Sequence, residues 1–167
     1  MNITIREARV TDAESITRVL NPIIEARANS VFTEPFSVDA EREFIMQFPK
    51  CGIFHVAEGD GIVKGFQTIE PFGAYTPAFD HVGIIGTFVG FSYQKQGIGK
   101  ALFQASFVAA RAKGYEKLFA FVRSDNTAGL AAYLGQGFEQ VGIAKKHAKI
   151  DGMYVDEIMI ERFLLRL

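Results

Sequence analysis

A single cysteine, Cys51, in a chain of 167 residues excludes an intramolecular disulfide and any cysteine-built zinc cage. Its place at the start of an apparent strand reads as a small half-buried hydrophobe rather than a nucleophile. Charge bias is missing too: 18 basic residues stand against 19 acidic ones, a formal charge of -1, so no overall field draws the chain to nucleic acid or an anionic membrane. Long apolar runs are also lacking. The uncharged stretch from Val82 to Gln94 is too short for a spanning helix and is interrupted by glycines and polar side chains. Met1 to Glu7 alternates and carries charge early, unlike the positive-then-apolar layout of a secretion signal, so a cytoplasmic setting is expected. No repeat, low-complexity tract or linker stands out. What is present is 49% hydrophobic residues in a length suited to one domain, expected to span 1–167. A chain of that size buries roughly 70% of its unfolded surface and sustains a core without staples.

Periodicity orders the elements. Ile3 and Ile5 have strand spacing, and Thr11 with Glu14 predicts a capped helix start. Ile16, Val19, Leu20, Ile23 and Ile24 continue at helical spacing, with Pro22 expected to kink or divide the helix. A second helix is predicted over 37–48, with Phe44, Ile45 and Phe48 inward. Two strands follow over 52–58 and 63–72, joined at Gly59-Asp60-Gly61. The stretch 81–91, apolar on both sides, reads as a central strand covered on both faces. The clearest helix, 97–113, carries one apolar stripe and stops at Gly114. A strand over 117–122, a short helix over 126–135, and a hairpin of 138–149 with 153–163 across Asp151-Gly152 complete the order. A helix between the fourth and fifth strands requires a right-handed parallel crossover, while the hairpins are antiparallel, so the fold class is α/β with a mixed sheet.

Chemistry concentrates in Gln94-Lys95-Gln96-Gly97-Ile98-Gly99-Lys100-Ala101, between the central strand and the clearest helix. Glycines at a helix start let backbone N–H groups approach an anion closely, and the helix dipole adds to the attraction, so phosphate is the natural ligand. Gln94 and Ala101 deny the Walker pattern, and Leu102 denies the dinucleotide pattern. The remaining Q-x-x-G-x-G resembles the [Q/R]-x-x-G-x-[G/A] pyrophosphate motif of the GCN5-related N-acetyltransferases. The segment Asn126-Thr127-Ala128-Gly129-Leu130-Ala131-Ala132-Tyr133-Leu134-Gly135-Gln136-Gly137-Phe138 is similar to that family's N-x-x-[AS]-x-x-[LF]-Y-x-x-x-G-F, and the element order matches its fold from end to end. The resemblance implies a sheet of about seven strands, splayed between the fourth and fifth and flanked by about four helices. It also implies acetyl-CoA as co-substrate. Thr87, Phe88 and Val89 would offer backbone groups to its pantetheine arm, and Lys95, Gln96, Gly97, Ile98, Gly99 and Lys100 would cradle its pyrophosphate. Asn126 would lie near the pantetheine, and Tyr133 near the thioester sulfur as the catalytic acid. Each residue also has a plainer reading: a tight turn for the glycines, a helix cap for Asn126, a core aromatic for Tyr133.

Within that family the chain most resembles the phosphinothricin-type enzymes, which acetylate amino-acid-like compounds, through Asn21-Pro22, Phe32-Thr33-Glu34-Pro35, Pro71-Phe72, Pro77-Ala78-Phe79 and the segment 149–156. It departs from them where an arginine able to clamp a carboxylate gives way to Gly73, and where a glutamate gives way to Ile84. The expected reaction is therefore acetyl transfer to a primary amine of a small molecule by direct attack. Transfer to a peptide amino terminus and a non-catalytic acyl-CoA sensor stand as alternatives. Phe32, Glu34, Phe72 and Tyr75 are candidate substrate-binding residues, and Glu70, His81, Glu34 and Asp156 are candidate bases. No metal site is expected. A homodimer is expected through Val155, Ile158 and Met159 at a sheet edge.

Overall fold

The structure, a computed structural model, describes residues 2–164, so Met1 and residues 165–167 of the expected domain lie outside the described residues. The elements run β1 (Thr4–Glu7), α1 (Ala13–Glu25), α2 (Val38–Gln47), β2 (Ile53–Gly59), β3 (Ile62–Pro71), β4 (Val82–Val89), α3 (Ile98–Ala112), β5 (Lys117–Arg123), α4 (Thr127–Leu134), β6 (Glu139–Ile150) and β7 (Met153–Phe163). Seven strands form one sheet in the order β1-β2-β3-β4-β5-β7-β6, antiparallel throughout except for the parallel pair β4–β5. The expected mixed α/β sheet with its helical crossover is the observed one. Both two-residue turns have the left-handed backbone that such hairpins require: Asp60 and Gly61 have φ of 56° and 75°, and Asp151 and Gly152 have 49° and 82°.

Register partners share a face, so the sheet can be read as two surfaces. On one, Phe54, Val56 and Phe66 pack against Ile16, Val19, Leu20, Ile23 and Ile24 of α1. On the other, Ile53, Ile69, Ile85, Leu118, Ala120 and Ile160 pack against Phe103, Phe107 and Ala110 of α3. This second cluster includes side chains with no exposure at all, such as Leu118 and Ile160, each contributing about 2 kcal/mol by leaving water. The helices α1 and α2 cover the first face over β2, β3 and part of β4, where Phe88 packs against the same cluster. The part over β5 and β7 stays open and becomes a wall of the site described below.

Four local expectations are corrected. Pro22 lies inside an uninterrupted α1, because it sits on the exposed side and the carbonyl it leaves unpaired, that of Arg18, also faces solvent. Asp12, not Thr11, organises the first helix: its carboxylate accepts from the Arg9 amide at 2.7 Å and from the Arg6 guanidinium at 2.7 and 2.8 Å. Burial opposes its ionisation, yet those donors hold the carboxyl below its usual range. The strand β7, carrying Val155, Ile158 and Met159, lies between β5 and β6 and is not an edge, and Ile158 is only 9% exposed. The edge position belongs to β6, with Val141 and Ile143 exposed. Finally, Cys51 is exposed rather than half-buried.

In α2 the inward side also differs from the apolar pattern. Phe44 is 40% exposed, while Glu41 is buried at 5%. Burial pushes the Glu41 carboxyl up to about 7. A raised pKa means that the folded protein binds this proton more tightly than the unfolded chain. The stability it contributes is full below the ordinary carboxylate range and is lost as pH rises through about 7. Glu41→Gln should therefore melt several degrees higher than the parent at pH about 8 and coincide with it near pH about 4, as thermal unfolding across that range will show.

Candidate functional site

The site begins with a parting of strands. β5 pairs with β4 only at Val82↔Lys117, Gly83↔Leu118 and Ile84↔Phe119, whereas β4 stays paired with β3 as far as Val89. The Phe72 amide bonds to the Val82 carbonyl and the Gly90 amide to that of Lys64, which fixes the alternation of the β3–β4 ladder. The N–H and C=O groups of Ile85, Thr87 and Val89 thus turn toward the gap, and those of Phe88 turn toward β3. Of the three residues expected to offer backbone groups, Thr87 and Val89 have them at the gap, and Phe88 brings its ring instead. Interior backbone groups without a partner strand need another partner.

The anion-binding geometry lies at one end of that gap. Lys95 and Gly97 both have left-handed backbones, with φ of 59° and 81°, so the chain curls before entering α3. The first bond of the helix runs from the Ala101 amide to the Gly97 carbonyl, which leaves the amides of Ile98, Gly99 and Lys100 ahead of the ladder. They sit at the positive end of a helix of 15 residues that has no side-chain cap. A methyl group at Gly97 would meet nothing within 4 Å, and one at Gly99 only Val89, so the approach to these amides is open. Gln96 is the exception among the expected cradle residues: its side-chain amide donates to the Ser92 carbonyl at 3.0 Å, and it does not line the cavity.

Two cavities meet across the gap. The first, of about 470 Å³, is lined by Thr87, Phe88, Val89, Lys95, Gly97 to Lys100, Asn126 and Tyr133, among others. The second, of about 370 Å³, opens on the other sheet face and shares Thr87, Phe88, Asn126 and Tyr133 with the first. Tyr133 stands at the junction. Its ring is 8% exposed and packs edge-on against Phe103 and Phe138, each with centroids 5.1 Å away. Its hydroxyl lies 3.0 Å from Thr87 Oγ1, to which the Gln67 side-chain amide donates at 2.8 Å. Either hydroxyl of the Thr87–Tyr133 pair can donate; when Thr87 donates, the phenol proton is left to point into the junction. Burial pushes the Tyr133 phenol up to about 12, so it stays protonated at neutral pH. Asn126 caps α4 by accepting from the Gly129 amide at 2.9 Å, which leaves its own N–H groups for a ligand.

The second cavity joins aromatic rings, from Phe32, Phe88 and Phe121, to three charged side chains, Glu70, Arg123 and Glu157. Arg123 grips Asp125 with Nε and Nη2 at 2.9 and 2.7 Å, and its Nη1 donates to the carbonyls of Arg27 and Ser30 at 2.7 and 2.9 Å. That pairing holds the Asp125 carboxyl below its usual range. Burial raises Glu70, and it raises Glu157 against the opposing pull of His147 and Arg123. Among the candidate bases, then, Glu70 reaches the cavity. Glu34 and His81 line neither cavity, and Asp156 is tied to Lys145 and the Lys146 amide at 2.9 and 2.7 Å. Among the candidate substrate residues, Phe32 lines the second cavity and Glu34, Phe72 and Tyr75 line neither. Tyr75 is 82% exposed, and Phe72 packs on Phe79 and Phe119. Gln67, Phe121, Arg123 and Glu157 were not anticipated. The alternation Phe119, Phe121, Arg123 held a signal for two of them, since it sets a charge in line with rings on one face of a strand.

Comparison with known proteins gives the same frame. The model of the acetyltransferase (GNAT) family matches residues 21–138, most of the chain. The phosphinothricin N-acetyltransferase of Streptomyces coelicolor is 24% identical over 165 residues, covering 96% of this chain and 95% of that protein. The crystal structure of an N-acetyltransferase from Staphylococcus aureus Mu50 superposes with a TM-score of 0.91 at 25% identity, covering 99% of this chain and 100% of that one. That of a phosphinothricin acetyltransferase from Sinorhizobium meliloti, solved in complex with AcCoA, gives 0.88 at 21% identity and covers 98% and 89%. With its parted β4 and β5, its uncapped amides before α3 and a family match across both, the chain belongs to the acetyltransferase (GNAT) family, whose co-substrate is acetyl-CoA.

Proposed function

We propose that the protein transfers the acetyl group of acetyl-CoA directly to a primary amine of a small molecule, with Tyr133 as the general acid. The observation that carries this reading is the place of the Tyr133 hydroxyl, at the one junction of the two cavities and in line with a hydrogen-bond chain from Gln67. The residues around the first cavity fit acetyl-CoA. Open amides at Ile98, Gly99 and Lys100 suit a diphosphate, and backbone groups of Thr87 and Val89, which turn away from β3 and have no partner strand, suit the amides of a pantetheine arm. Acetyl-CoA supplies a thioester whose carbonyl carbon accepts a nucleophile and whose thiolate leaves.

The proton balance is simple. The amine nitrogen forms a bond to the carbonyl carbon and the carbon–sulfur bond breaks. Sulfur takes the Tyr133 proton, and the proton shed by nitrogen passes to a cavity carboxyl and then to solvent, from which the phenol is restored. A phenol near 12 would not ordinarily protonate a thiolate, but the apolar surroundings that raise Tyr133 also raise the proton affinity of a thiolate formed beside it. The amine enters from the second cavity, whose wall includes the loop after α1. Arg123 holds that loop through the carbonyls of Arg27 and Ser30.

Two variants test this assignment. Tyr133→Phe should retain its affinity for acetyl-CoA in calorimetry while kcat falls about 100-fold, and unchanged turnover would remove the catalytic role. Arg123→Gln should lose about 2 kcal/mol of stability and raise the KM of the acceptor amine about 10-fold, with a smaller change in the KM of acetyl-CoA. Steady-state kinetics with each substrate varied in turn will separate those effects.

A further inference from the structure

Only two of the three charged side chains in the acceptor cavity remain open to a ligand. Arg123 is neutralised by Asp125, and its remaining contacts are to two main-chain carbonyls. The Glu157 side chain is 9% exposed and accepts no hydrogen bond among the described residues; the nearest cationic group is His147 Nε2, at 3.8 Å. Glu70, half-buried, has no ion pair among the described residues. The cavity therefore holds two carboxyls and no uncommitted cation.

Their placement is set by register. Glu70 on β3 faces Ile84 of β4, and Glu157 on β7 faces Arg123 of β5, so the carboxyls flank the parted strands from opposite sides of the gap. Ile84 pairs with Phe119, and Phe119, Phe121 and Arg123 alternate along β5, so both carboxyls belong to one sheet face. Three strand spacings of about 4.8 Å across the sheet and four residues of about 3.3 Å along it, Glu70 being level with Phe119 and Glu157 with Arg123, put their backbones about 20 Å apart before any widening at the gap. Two glutamate side chains and an acceptor a few methylenes long bridge that span, with Phe32 and Phe121 beside the methylenes.

An amine must attack as the free base. If it brings one positive charge and surrenders it to one carboxyl, the other carboxylate, itself half-buried or more, is left uncompensated. An acceptor that carries its own carboxylate adds a third negative charge and meets an Arg123 whose charge is already paired with Asp125 and four of whose five N–H donors are committed. We infer that the acceptor is an aliphatic diamine or polyamine without a carboxylate, one amino group giving its proton to Glu157 and attacking the thioester while a second, still protonated, is held by Glu70. This deepens the transferase reading and rests on it. His147, half-exposed and next to Glu157, gives the shed proton a route to solvent, and this divides the roles between the two glutamates.

Thiol release from acetyl-CoA should be compared for putrescine, butylamine and gamma-aminobutyrate, one chain ending in a positive, a neutral or a negative group. The expected kcat/KM for putrescine exceeds that for butylamine by about 10- to 100-fold, the scale of one charged hydrogen bond, with gamma-aminobutyrate lowest. Glu70→Gln should bring the putrescine-to-butylamine ratio toward one through the KM of putrescine, and Glu157→Gln should lower kcat for both amines. Calorimetric binding of coenzyme A to each variant verifies that it is folded. A preference for gamma-aminobutyrate, or a ratio unchanged in Glu70→Gln, overturns this inference and leaves the transferase intact. Thiol release with none of these amines and none of a wider amine panel overturns both.

Discussion

The central constraint is that β4 loses its partner while still inside the protein. After Ile84 its outer row of backbone groups faces a gap, and interior backbone groups left without partners cost about as much as lost hydrogen bonds. A fold can hold such a gap open only if each lip is supported from elsewhere. β4 keeps its ladder to β3 as far as Val89, and β5 keeps its own to β7 from Lys117 to Arg123. The helices α3 and α4 then brace the two lips, α3 through Phe103 and Phe107 and α4 through Tyr133. The gap is thus a stable element of the fold, and it places extended main chain where a ligand rich in amides can complete the sheet.

Around that gap the charges separate. On the α3 side the field is positive, from free helix amides with Lys95 and Lys100 at the rim of the first cavity. On the opposite sheet face the second cavity carries two glutamates and a neutralised arginine. In the proposed reaction a diphosphate would be attracted to one mouth and an ammonium to the other, so electrostatics would orient two substrates before any close contact is made. Between the mouths, Gln67 donates to Thr87, and the Thr87 and Tyr133 hydroxyls share a bond in which either can donate.

Much of this was legible in the residues. The element order, the mixed sheet, the two tight hairpins and the left-handed turn before α3 follow from periodicity, glycine placement and local turn chemistry, and those act over a few residues. The errors came where a distant neighbour overrode a local rule. Pro22 left its helix whole because the affected carbonyl reaches water. Thr11 gave way to Asp12 at the start of α1, where the Asp12 carboxylate is tied to the Arg9 amide and to Arg6, a strand residue, and makes no cap bond to the helix. Ile45 and Phe48 pack inward as expected, whereas Phe44 is 40% exposed and Glu41 is buried, because the packing of α2 decided which side faced inward. The acceptor residues were the least legible: Phe32 and Glu70 reach the cavity, while Glu34, Phe72 and Tyr75, near them in sequence, do not.

By itself the sequence determined the family, its acetyl-CoA co-substrate and the backbone geometry at Lys95 to Lys100, because the left-handed turn and the uncapped helix start are contiguous features that glycine spacing encodes directly. The tertiary structure alone decided the acceptor half. Glu70, Arg123 and Glu157 come from three different strands, and whether they share a cavity depends on register, on the parting of β4 from β5 and on which charges neutralise one another. Those are relations between segments far apart along the chain, and no local pattern carries them.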